Sequence, residues 1–149
     1  MRTLRQLAVL LAAWACACAA AYVPGLGEIM AANQMRHLKL WYAGEAHDWP
    51  LARYEVDELE EGFVDAVRYH PTHPGAPRPL TELVPEFTAG PIAALRQAIR
   101  DESEPEFAAA FDSLSEGCNG CHREAGFGFN VIVRPTSNPY ANQRFAPAQ

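Results

Sequence analysis

The chain has 149 residues, with 18 acidic and 12 basic side chains and a formal net charge of −6. That length suits one domain with a real core rather than two, and a composition that is 49% apolar excludes a disordered chain. The acidic balance excludes nucleic acid as a partner, because phosphate contacts need a basic face.

The opening stretch MRTLRQLAVLLAAWACACAAAY reads as a secretory leader. Arg2 and Arg5 supply its positive end, Leu7 to Ala15 an apolar run too short to span a bilayer, and Ala17 to Ala21 small residues for cleavage. An uncleaved anchor would need a longer apolar run. A lipid anchor at Cys16 or Cys18 lacks the leucine-then-small pattern upstream. The expectation is therefore a leader over 1–21 and a single domain over 22–149, exported to a bacterial periplasm without a stable membrane span after cleavage. Cleavage leaves ten basic against eighteen acidic side chains, a net of −8. Such a charge steers the protein toward a partner with a basic docking patch.

Four segments then read as helices. The first spans about Leu26 to Ala46, with Met30, Ala31, Gln34, Met35, Leu38, Trp41 and Tyr42 on one arc. The second begins at Pro50 and runs to about His70, carrying the stripe Ala52, Val56, Leu59, Phe63, Ala66 and Val67. The linker HPTHPGAPRPL is too rich in proline for a helix and is expected as a stiff crossover across one end of the fold. A third, shorter helix starts near Pro91 and buries Ile92, Leu95 and Ile99. The fourth starts at a capping-box pattern, Ser103 with Glu106, and carries Pro105 in its first turn. Phe107, Phe111, Leu114, Cys118 and Cys121 form its stripe. In the tail from about 126, the alternation of Phe127, Phe129, Val131 and Val133 predicts an extended strip whose apolar face folds back on the helices.

The chemistry is concentrated in Cys118-Asn119-Gly120-Cys121-His122, a C-x-x-C-H pattern of c-type haem attachment. Thiols three residues apart project from one face of a helical turn, where both can form thioethers with haem vinyl groups. The histidine four residues after the first thiol returns to that face and offers its imidazole to iron. Its other ring nitrogen should donate to a backbone carbonyl, which fixes the tautomer. Other readings of the triplet fit less well. A disulfide between Cys118 and Cys121 is poor geometry on a helix. A zinc site needs a fourth ligand, for which His70 or His73 is a candidate. A thioredoxin-like redox pair needs a strand before the helix.

A leader, four amphipathic helices and a haem motif on the last of them resemble the cytochrome c-prime family, including its low-spin, methionine-ligated branch. The resemblance covers about Leu26 to Ala125 and rests on C-x-x-C-H and its late position. It implies an all-α, antiparallel four-helix bundle with the haem motif on the last helix and, here, an extended C-terminal tail. It also implies one covalent haem c, iron bound by His122, and Met30 as sixth ligand, within the matching stretch Leu26-Gly27-Glu28-Ile29-Met30. Leu26 stands where the family often has a propionate-binding arginine. The segment from Arg36 to Phe63 and the tail after Gly126 also depart from the family. A homodimer through the first two helices is implied by analogy alone.

Met30 and Met35 lie about 140° apart around a helix and cannot both face one iron. Met35 reads as core filler. His37 falls within about 20° of Met30 and roughly 10 Å along the axis, as a distal-pocket group or propionate partner. Arg134, Arg144, Arg36 and Lys39 are candidates to neutralise propionates, and Glu55, Glu58, Glu60 and Glu61 read as a solvated face. His47 and His73 read as solvent-facing loop residues. The expected function is periplasmic electron transfer with His/Met ligation rather than enzymatic catalysis. The alternative is a five-coordinate module that binds small gases such as nitric oxide or carbon monoxide.

Overall fold

The computed structural model describes residues 22–147, so the expected leader lies outside the described residues. It holds four helices and, among the described residues, no strand: α1 Leu26–Glu45, α2 Trp49–Tyr69, α3 Leu80–Arg100 and α4 Glu104–Glu124. They form the expected all-α, antiparallel four-helix bundle. α1 packs mainly on α2 and α3 mainly on α4; the seam between α1 and α4 is the thinnest. None of these helices is long and apolar enough to cross a membrane.

Local chemistry explains most of the boundaries. Asp48 caps α2 by accepting from Leu51 N at 3.3 Å, and Pro50 sits in the first turn, where its missing N–H costs nothing. Ser103 stands at the N-cap of α4, but its side chain makes no capping hydrogen bond, so the expected capping box is not formed. At Gly126 the chain takes φ +83, a left-handed conformation that glycine adopts freely, and turns back along α4.

α3 corrects the expected start near Pro91, since it begins eleven residues earlier and runs through Pro85 and Pro91. A proline inside a helix costs about 3 kcal/mol. Burial of Leu80, Leu83 and Val84 in the added turns contributes about 1.5–3 kcal/mol each, which outweighs one such cost. The carbonyl that Pro85 frees belongs to Thr81, and both residues are exposed, so water can satisfy it. The carbonyl that Pro91 frees belongs to Phe87, and α4 closes on it at Gly117. A Cβ on Gly117 would lie 2.3 Å from Phe87 O.

The core divides along the bundle. At one end Leu40, Trp41, Val56, Leu59, Leu95, Phe107, Phe111 and Leu114 are tightly buried, with Trp41 and Phe111 ring centroids 5.0 Å apart. At the other end a smaller cluster of Leu80, Leu83, Val84 and Ala125 lies under the proline-rich loop.

α1 does not bury the predicted arc. Its buried residues are Ile29, Asn33, His37, Leu40, Trp41, Ala43 and Gly44, a face turned by about a third of a turn from the expected one. Met35, expected as core filler, is 40% exposed. On α2, Glu55 is buried rather than solvated; burial pushes its carboxyl up, with Lys39 opposing and Glu58 adding to the shift.

Candidate functional site

The thin seam between α1 and α4 opens into a cavity of about 350 Å³ at the end where α1 begins and α4 finishes. α1 lines it with Leu26, Gly27, Met30, Asn33, Gln34 and His37, and α4 with Cys118, Cys121, His122 and Ala125. Leu59 and Phe63 of α2, and Leu80 and Val84 of α3, make its apolar flanks. Tail residues Phe127, Asn130 and Ile132 edge it beside His122. The wall carrying the cysteines is held in place by the close approach at Gly117 and again at Gly120, where a Cβ would lie 2.6 Å from the Phe87 ring.

The motif residues occupy the last two turns of α4. Cys118 and Cys121 are free, partly buried thiols. Burial pushes Cys118 up to about 12 and raises Cys121 as well, so both are protonated at neutral pH. His122 Nδ1 lies 2.7 Å from the carbonyl oxygen of Asn130. A carbonyl only accepts, so Nδ1 donates, which leaves Nε2 as the ring nitrogen available to a ligand. Among the described residues, no three His, Cys, Asp or Glu side chains are grouped as a bare metal site would need.

Facing α4 across the cavity, Met30, Asn33 and His37 recur at helical spacing on α1. His37 is 5% exposed, with its ring 4.2 Å from that of Phe111. Ser115 Oγ donates to Phe111 O at 3.0 Å, so its single proton is committed. It therefore accepts from His37 Nε2 at 2.9 Å, and the proton of the imidazole sits on Nε2. Burial holds His37 at about 4, neutral at physiological pH.

Asn33 is 4% exposed, and its Oδ1 accepts from Arg36 Nη1 at 3.1 Å. A guanidinium cannot accept, so the amide orientation is fixed and Nδ2 is the donor left over. Nδ2 is buried without a hydrogen-bond partner.

The remaining candidates are dispersed. Arg134 is held by Asp112, with Nε 3.0 Å from Oδ1, and lies over the Trp41 ring rather than along the cavity. Arg36 binds Glu58 at 3.0 Å, and Lys39 lies over the Tyr140 ring. His70 Nε2 donates to Pro24 O at 2.8 Å, and His47 pairs with Glu104 on the surface. His73, expected in solvent, lines the cavity and packs edge-on against Phe127. It accepts from Gly75 N at its Nδ1, at 3.2 Å.

The tail folds back as expected, but Phe127 to Asn130 form a turn rather than an extended strip, with Asn130 N donating to Phe127 O at 2.8 Å. Phe127 faces the cavity, and beyond it the phase is opposite to the expected one. Phe129 is 83% exposed and Val131 and Val133 also face outward, while Asn130 and Ile132 line the cavity.

Sequence reasoning missed Asn33 and His73. For Asn33 a signal existed, because it lies three residues after Met30 and four before His37 on the same face. For His73 there was none, since the path of a proline-rich loop is set by what it covers. Comparison with family models, with curated proteins and with solved structures found no match.

Proposed function

We propose that this chain is an exported, periplasmic c-type cytochrome that carries one haem c in the α1–α4 cavity and transfers electrons. The observation that carries the reading is the shared cavity: Cys118, Cys121 and His122 line one wall and Met30 the other. In it, the Cys118 and Cys121 thiols would hold the haem as thioethers, and His122 Nε2 and Met30 Sδ would bind its iron. The haem supplies a one-electron iron couple when bound. The residues of the chain do the rest. Asn130 fixes the His122 tautomer, the apolar flanks exclude water, and thioether ligation favours reduced iron. The donor set along that cavity, two thiols, an imidazole and a thioether, fits such a group. The net charge of −8 after cleavage favours a redox partner with a basic docking patch.

The ferric absorption spectrum tests the ligand set. The expected result is a weak sulfur-to-iron band near the red edge, lost in Met30→Ala and kept in Met35→Ala. A high-spin spectrum, with rapid carbon monoxide uptake on reduction, would overturn methionine ligation. It would favour the second reading, a gas-binding module using the same cavity.

A further inference from the structure

The geometry points to Asn119, the residue after the first motif cysteine, as the positioning residue of the axial histidine, an inference that rests on the haem reading above. The carboxamide of Asn119 grips the tail at two points. Its Nδ2 donates to Ile132 O at 2.8 Å, and its Oδ1 accepts from Ile132 N at 2.7 Å. Two opposed hydrogen bonds to the polar groups of a single residue fix both position and orientation, as a neighbouring strand would.

Two residues before Ile132, the Asn130 carbonyl accepts from His122 Nδ1 at 2.7 Å. On the other side, Phe127 N donates to His122 O at 2.7 Å. The acceptor of the histidine therefore sits on a short loop pinned to α4 at both ends, and Asn119 is the far pin. The side chains of Phe129, Val131 and Val133 face outward and hold the loop little, and the next anchor, Arg134 on Asp112 of α4, lies two residues beyond the clamp.

Attachment chemistry places no demand on this position of C-x-x-C-H. The clamp does: serine is too short to span both groups of Ile132, and an ionised aspartate cannot donate. An acceptor on Nδ1–H makes Nε2 a stronger base and favours ferric iron. Without the clamp, Asn130 O drifts from Nδ1, Nε2 becomes a weaker base, and the reduction potential rises.

The test uses the full chain produced with haem. The wild type is expected to take haem covalently. Asn119→Ala should raise the reduction potential while keeping the sulfur-to-iron band, and should speed amide hydrogen exchange at Ile132 at least tenfold. Phe145→Ala, which loosens the tail where it packs on Tyr42, should leave the potential at the wild-type value. Should the alanine variant fail to fold, Asn119→Ser is expected to shift the potential in the same direction. An Asn119 variant with wild-type potential, unchanged exchange at Ile132, or an equal shift in Phe145→Ala each overturns the clamp alone. A wild-type chain that takes no haem overturns the haem reading and the clamp together.

Discussion

At the scale of single residues, the buried imidazole of His37 makes a pH prediction with a definite sign. Its ring titrates at about 4 in the folded chain against 6.5 in an unfolded one, because burial penalises the cation. The unfolded state therefore binds the extra proton first, and stability falls as pH drops from about 6.5 to about 4, by as much as roughly 3 kcal/mol. Denaturant melts across that range should show this slope in the wild type and lose it in His37→Leu. Glu55 works in the opposite direction: its raised carboxyl favours the folded state at low pH and withdraws that support as pH rises. The motif residues were legible because a three-residue spacing is local chemistry. The α1 face was not, since it buries Asn33 and His37 and leaves Met35 outside, against the preference of each side chain for water or oil. A buried polar face shows in the sequence only once its partners are known, here Ser115 and Arg36.

Among the elements, α3 and the tail differed most from their sequence readings. Pro85 and Pro91 each remove an intrahelical hydrogen bond from α3, which begins eleven residues before its expected start near Pro91. What overrode them was the burial of Leu80, Leu83 and Val84, together with an α4 that offers Gly117 where Pro91 leaves the Phe87 carbonyl unpaired. Gly117→Ala should destabilise the bundle by about 1–3 kcal/mol in denaturant melts, because the added methyl meets backbone that cannot move alone. Gly90→Ala is the contrasting case within α3. Beyond its chain neighbours nothing lies within 4 Å of its added methyl, but the ring of Pro91 crowds the Cβ of the residue before it, so the substitution should gain less than the roughly 0.5–1 kcal/mol of an ordinary helical glycine. The tail alternates only past the turn at Phe127 to Asn130, and period-two patterning does not say which face meets the protein. Here the two-point grip of Asn119 on Ile132 sets the phase and turns the apolar row of Phe129, Val131 and Val133 outward.

For the whole molecule, four helices and their order were legible because amphipathic runs and prolines mark both helices and breaks. The cavity was not, because it arises from unequal packing between helix pairs rather than from any one segment. The acidic surface carries a prediction of its own. If the proposed electron transfer holds, exchange with a basic partner should slow as salt rises toward 0.15 M, on the order of tenfold, since the Debye length shrinks to about 8 Å. Stopped-flow mixing with basic and acidic partner proteins checks this, and equal salt dependence for both would exclude steering by net charge.

The thin seam also has a consequence for how the protein comes together. Met30 sits near the start of the first helix and His122 near the end of the last, so the two walls of the cavity come from opposite ends of the bundle's run of chain. A group bonded to both walls would staple the bundle shut and close a loop that contains nearly all of its residues. Closing so long a loop restricts the unfolded ensemble about as much as a single cross-link can. The occupant of the cavity would then act as the final fastener of the fold as well as its cargo, and the two ends of the chain would open only together.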